Sequence, residues 1–381
     1  MSAMAFVSGV GLTRFGDLQG STPLTLMSAA ADAALVDAGL RRDDVDGLIV
    51  GYATTMPHLM LANVFAEYYG LRPGHAHAVQ AGGATGLMML ALARHLTAAG
   101  AASKILVVAG ENRLSGQSRE ETVRTLAQIG HPTLEAPTGA TIPAYYGLVA
   151  ARYLHDTGCS ERDLAQLAVL MRRHAAAHPG AHLRTMIDVD AVLASRLIAT
   201  PLKLLDCCPI SDGASAFLVS DTADSERCVA ITGWGEAHTH QHLSAAPADV
   251  ALGARQSMQL AFRQAQRQPN EVGYLGIYDS FTATLAVLLE ATGFAERGRA
   301  GLDAAAGRFS RNGQYPLNLH GGLLSYGHCG VAGGMALAAE AITQLRGEAG
   351  PRQARPIRTA FVHAEGGILS AHVSLILEGM K

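Results

Sequence analysis

Two glycine-rich segments are the places in this sequence where chemistry could be done: Ala81-Gly-Gly-Ala-Thr-Gly86 and Gly327-His-Cys-Gly-Val-Ala-Gly-Gly334. Each opens an apolar, alanine- and leucine-rich stretch of helical character, Leu87 to Ala99 and Met335 to Leu345. A helix N-terminus exposes unpaired N–H groups and carries about half a positive charge. Glycine lets a substrate approach that backbone closely. Such a place suits a developing oxyanion or enolate. Spacing alone allows a second reading equally well, in which the glycines only let two helices cross closely. The first segment is no P-loop, because Gly-Lys-Ser/Thr is absent, and it lacks the G-x-G-x-x-G spacing of a dinucleotide site.

Cys329 is the one cysteine beside a glycine turn. A thiolate at a helix N-terminus next to His328 is physically reasonable, and so is a small apolar residue filling space. The five cysteines are odd in number and form no CxxC, so neither a disulfide framework nor a zinc site is expected. His238-Thr-His240-Gln-His242 has loose metal-like spacing, but Glu236 is its only close carboxylate, and it reads as a solvated loop. Asp279 and Asn318 are of the kind that caps or orients, and His363 reads as structural.

The elements that must position these segments occur twice. In the first half, strand Ala5–Gly11 is followed by helix Thr25–Gly39, an acidic turn, strand Gly47–Val50 and helix Pro57–Gly70. Strand Ala76–Gln80, the glycine turn, the central helix and strand Lys104–Ala109 complete it. In the second half, helix Ser257–Gln268 leads to strand Leu275–Tyr278 and helix Phe281–Thr292. The second glycine turn, its helix, strand Arg358–His363, the Gly366-Gly367 turn and strand His372–Leu377 follow. Such a repeat implies a duplicated architecture. Alternating helices and strands imply sheets covered on both faces. Two copies then stack as a five-layer α/β/α/β/α sandwich with the apolar helices in the middle. Residues 112–205 break the pattern and read as an inserted loop domain carrying binding functions. The expected units are 1–111 with 206–223, the insertion, and 224–381.

The chain has 381 residues, 49% apolar and 16% charged, which implies a large interior and a buried subunit interface. The net charge is −3 and the basic residues are scattered, so no nucleic-acid surface is expected. No secretory signal is read at the start, and no apolar run is long enough to cross a membrane. A cytoplasmic location is expected.

Several ordered blocks resemble motifs of the thiolase superfamily: Val79-Gln-Ala-Gly-Gly-Ala-Thr-Gly86, Tyr278-Asp-Ser-Phe-Thr282, Leu317-Asn-Leu-His-Gly-Gly322, Gly327-His-Cys-Gly330 and Glu365-Gly-Gly-Ile-Leu-Ser370. With Asp206-Cys-Cys-Pro-Ile-Ser-Asp-Gly-Ala-Ser-Ala216 they lie nearest the sterol-carrier and lipid-transfer branch. The resemblance runs from about Phe6 to Leu377. It departs from the family where the reaction is decided. The position of the nucleophilic cysteine falls on Gly83, which cannot form an acyl-enzyme. Tyr278 replaces the histidine of the branch's His-Asp-Cys-Phe motif, and Cys329 replaces the proline of Gly-His-Pro. The second cysteine of thiolases falls near His363.

A chain without the nucleophile resembles the thiolase-like aldolases that shorten steroid side chains by retro-aldol cleavage of a β-hydroxyacyl-CoA. The resemblance implies Tyr278 and Tyr326 as a tyrosine pair, with His328 as oxyanion donor. It implies Gly83, Cys329, Gly330, Asn318, His320 and Gly367 as substrate-binding or oxyanion positions. It further implies no permanently bound cofactor and no metal, coenzyme A as part of the substrate, a homodimer, and a small zinc-ribbon/OB-fold partner chain. An acyltransferase using Cys329, or a non-catalytic subunit that binds acyl-CoA, are the alternatives.

Overall fold

A computed structural model describes residues 4–380. Residues 1–3 and 381, the outermost parts of the two expected halves, lie outside the described residues. The first half contains β1 (Phe6–Leu12), α1 (Pro23–Ala38), β2 (Gly47–Gly51), α2 (Leu61–Tyr69), β3 (His75–Val79), α3 (Thr85–Ala98) and β4 (Lys104–Asn112). Outside the sheet come α4 (Ile142–Thr157) and α5 (Glu161–Ala176), with shorter pieces between β4 and β5 (Asp212–Ser220). The second half contains β6 (Val229–His238), α6 (Leu252–Ala265), β7 (Tyr274–Ile277), α7 (Thr282–Ala291), α8 (Val331–Arg346), β8 (Thr359–Gly366) and β9 (Ala371–Gly379).

The strands lie in the order β3-β2-β4-β5-β1-β6-β9-β8-β7. That order is a half-sheet followed by its own mirror listing. The single residue Leu317, bridged in parallel to Leu275 beside β7, stands where β3 stands in the first half. The halves join where β1 and β6 pair antiparallel through Phe6 and Val7. The helices α3 and α8 pack on each other and against strands of both half-sheets, with α1 and α6 outside. This is the expected sandwich. Residues along α8 are buried on nearly every side, whereas α3 leaves Met88, Leu92 and Leu96 only partly buried.

Strand β6 was not foreseen. Gly233 and Gly235 interrupt its apolar pattern, yet they are what it requires. A Cβ at either would lie 2.2 or 2.0 Å from carbonyl oxygens of α6. Gly9 and Gly11 of β1 stand equally close to α1, at 2.2 and 2.1 Å. The two outer helices are thus seated by the same device, which is the duplication seen in atoms. The helix expected over Pro57–Gly70 begins only at Leu61, after an irregular approach.

Candidate active site

Tyr278 stands at the end of β7, and its N–H donates to the His363 carbonyl at 2.9 Å. Asn318 holds that strand end. Its Oδ1 accepts from Ile277 N–H at 2.9 Å and its Nδ2 donates to the Ile277 carbonyl at 2.7 Å. Both polar ends of the amide are engaged with the backbone of the strand that ends at Tyr278. Asp279, fully buried, accepts from Leu323 and Leu324 N–H at 2.7 and 3.3 Å, and burial pushes its pKa well above the usual carboxylate range. His328 is fixed by backbone bonds to the 206–216 run: its N–H donates to Pro209 and its carbonyl accepts from Ser211, both at 3.1 Å.

These frames bring Tyr278 Oη to 2.9 Å from His328 Nε2. A Cβ on Gly83 would lie 2.2 Å from that hydroxyl and 2.5 Å from the Glu365 carbonyl. The phenol therefore occupies the space into which a side chain at 83 would project. Burial, with Glu365 adding to it, pushes the Tyr278 pKa well above 10. Burial, with Arg113 adding to it, pushes His328 down to about 3. Around neutral pH the pair is a phenol and an uncharged imidazole. A neutral imidazole donates from one nitrogen and accepts at the other. His328 Nδ1 is buried with no partner.

Two further groups here were not read from the sequence as site residues. Glu365 is 1% exposed, and its Oε1 accepts from Tyr146 Oη at 2.5 Å while its Oε2 accepts from Leu369 N–H at 3.1 Å. Burial raises its pKa to about 7, where a carboxyl exchanges protons readily at physiological pH. Its presence in the Glu365-Gly-Gly block was the available signal. Arg113 follows β4 directly and is 8% exposed, and its Nε is buried without an acceptor. Only its place just beyond a buried strand marked it.

The other expected positions divide. Gly367 (φ +71) accepts Tyr146 Oη at its carbonyl, and its N lies close against Gly82. Gly330 (φ +62) leaves room for Glu111, whose Oε1 would be 2.1 Å from a Cβ there. Cys329 is fully buried, and burial together with Glu111 raises its pKa well above 9, so it is a thiol rather than a thiolate. The Tyr326 ring packs on Phe15, His178 and His320 at 4.7, 4.8 and 5.0 Å. Tyr326 and His320 line a separate cleft of about 240 Å³ with Arg14, Glu340 and Arg352. His363 bonds Ser374 and His372 at 2.8 and 3.2 Å, and His372 bonds the Leu369 carbonyl at 2.9 Å. That chain supports the turn whose N–H meets Glu365. Among the described residues no His/Cys/Asp/Glu group is placed to hold a metal, and no helix is long and apolar enough to cross a membrane.

The family model for the thiolase N-terminal domain matches residues 6–223, and that for the thiolase C-terminal domain-like region matches residues 235–379. The chain belongs to the thiolase family. It is 29% identical over 373 residues to an acetyl-CoA acetyltransferase of Methanothermobacter thermautotrophicus, covering 95% of this chain and 96% of that protein. It is 31% identical over 365 residues to a steroid side-chain-cleaving aldolase of Thermomonospora curvata, covering 90% of each. Among solved structures, one described as Ltp2-ChsH2(DUF35) aldolase superposes with a TM-score of 0.84 at 28% identity, covering 100% of this chain and 98% of that one.

Proposed function

We propose that this protein is a thiolase-fold lyase that cleaves a β-hydroxyacyl-CoA by a retro-aldol reaction. One observation carries the proposal: the Tyr278 hydroxyl, bonded to His328, fills the space beside Gly83 that a nucleophile would need. A proton acceptor therefore stands in place of an acyl-enzyme former.

In this reading the β-hydroxyl proton passes to Tyr278 Oη as the phenol proton passes to His328 Nε2, which holds it only transiently because its pKa is depressed to about 3. The bond between the α- and β-carbons breaks. Its electron pair moves onto the thioester as an enolate, and the β-oxygen becomes the carbonyl of a released ketone or aldehyde. The positive ends of α3 and α8 stabilise the enolate oxygen. Glu365, with its pKa of about 7, is protonated in a large fraction of molecules at neutral pH and delivers a proton to the α-carbon. One proton gained by His328 and one lost by Glu365 are then exchanged with solvent. Tyr326 takes no part. Cys329, held as a thiol, is not favoured as a nucleophile.

Coenzyme A enters as part of the substrate, with no permanently bound cofactor, and the setting is cytoplasmic. The half-buried stripe Met88, Leu92 and Leu96 on α3, with the outermost strand β3 beside it, supports a homodimer. Similarity to the Ltp2-ChsH2(DUF35) aldolase supports a small zinc-ribbon/OB-fold partner chain.

The test is Tyr278→Phe in the assembled complex, which keeps the ring and removes only the hydroxyl. Loss of positioned acid–base catalysis predicts a fall in cleavage of about 10²- to 10⁴-fold, with acyl-CoA binding retained. Cleavage at the wild-type rate would refute the proposal.

A further inference from the structure

Tyr146 belongs to α4 of the inserted stretch, yet it reaches the proposed proton donor. It is 2% exposed, and its ring stacks on Phe281 with 4.5 Å between centroids and 26° between planes. Its hydroxyl lies 2.5 Å from Glu365 Oε1 and 3.1 Å from the Gly367 carbonyl. One side chain thus joins the insertion, the residue that precedes α7, and the turn between β8 and β9. Among the described residues it is the one side chain bonded to the Glu365 carboxyl, whose other bond comes from the Leu369 N–H.

Counting protons gives this arrangement its meaning. A phenol hydroxyl donates one hydrogen and can also accept, but two acceptors stand before Tyr146. With Glu365 ionised, the phenol hydrogen goes to Oε1, and the Gly367 carbonyl receives none from it. With Glu365 protonated on Oε1, the carboxyl donates to Tyr146 Oη and the phenol hydrogen turns to Gly367. All three oxygens are then joined in one chain. Oε2 keeps its bond from Leu369 in both states. A tie to a permanently ionised carboxylate would need no second acceptor.

The surroundings leave this contact to decide how tightly the proton is held. Tyr278 faces the carboxyl from the end of β7, and Ser280 faces the Tyr146 hydroxyl. His363 lies two residues back on β8, and His372 stands opposite Glu365 on β9. Burial holds both phenols above their usual pKa and both imidazoles below theirs, so these neighbours are uncharged near neutrality.

We infer that Tyr146 is the positioning residue of Glu365, its hydroxyl donating to the carboxylate and accepting from the acid, so that the inserted stretch governs the proton Glu365 carries. This deepens the proton-donor role given to Glu365 above, but its first test reads the carboxyl itself and needs no cleavage.

Infrared difference titration of the full chain follows the C=O band of protonated Glu365, identified by its absence in Glu365→Gln. In the wild type the band should fade with a midpoint of about pH 7. Tyr146→Phe keeps the ring and its stack on Phe281. It removes a donor to a charged acceptor, a stronger bond than that to the neutral acid, so the midpoint should rise by about one pH unit. A 3-fluorotyrosine at position 146 keeps every contact and donates more strongly, so it should lower the midpoint. That second protein decides the matter even where Tyr146→Phe does not fold. A midpoint that stays at the wild-type value in either protein overturns the inference. In the assembled complex, the alkaline limb of the pH profile for cleavage should move with the band. A band that moves while that limb stays upholds the inference and refutes the proton-donor role of Glu365 instead.

Discussion

The two glycine turns occupy equivalent places, each opening a central helix, but they have been put to opposite use. At the first, a Cβ on Gly83 would strike the Tyr278 hydroxyl at 2.2 Å and the Glu365 carbonyl at 2.5 Å. At the second, a Cβ on Gly333 would meet nothing nearer than His328 Cα at 3.4 Å, and His328 itself points a ring at Tyr278. Each turn is filled from the opposite half, the first by Tyr278 at Gly83 and the second by Glu111, whose Oε1 would lie 2.1 Å from a Cβ on Gly330, but only the second supplies a reactive side chain of its own, His328. In the proposed reading the duplicated fold keeps both helix N-termini and carries its proton chemistry on side chains of the second half. On that reading a glycine at 83 in place of a nucleophile changes volume as well as reactivity.

The comparison can be broken most severely at Gly83. Gly83→Cys restores the residue type that thiolases place there, yet it should not restore acyl transfer. The new side chain must displace Tyr278 from His328. We expect cleavage to fall by about 100-fold or more and stability to drop by about 1–3 kcal/mol from overpacking, read from turnover and urea unfolding. A stable variant with full cleavage would show that the phenol does not need that space.

Glu365 sharpens the contrast through pH. Its pKa is about 7 in the fold and 4.5 as a free side chain. Between those values the unfolded chain releases a proton that the folded protein keeps. Stability therefore falls as pH rises through that window and levels off above 7. The shift corresponds to about 3 kcal/mol for a fully buried group. Glu365→Gln should remove this component, so the stability difference between variant and wild type grows from pH 4.5 to 7. His328, depressed to about 3, contributes in the opposite sense below 6.5 and is common to both proteins. A pH-independent difference would show that Glu365 is ionised in the fold throughout.

Much of the architecture was legible because it is written in periodicity and in glycine. Both central helices and the order of the halves follow from residues that could do little else. What the sequence hid has physical reasons. Strand β6 was lost because Gly233 and Gly235 look like breakers until α6 is seen resting on them. Tyr326 and His328 are two residues apart, but the backbone that pairs His328 with Pro209 and Ser211 sends the Tyr326 ring to Phe15 and His178. Asn318 looked like a donor for a ligand, and only the structure shows both its polar atoms spent on Ile277. Glu365 and Arg113 carry no signal in spacing. Their interest arises from burial, which raises the pKa of one and leaves the Nε of the other without an acceptor.

The central claim is that this thiolase-fold site works without a covalent acyl intermediate. Its most direct test is intact-protein mass spectrometry on the assembled complex, quenched with acid during turnover of a β-hydroxyacyl-CoA. The account predicts an unmodified chain at every time point, with the ketone or aldehyde and the shortened acyl-CoA formed in equal amounts. An added acyl mass that appears and decays with turnover, mapped to Cys329, would contradict it.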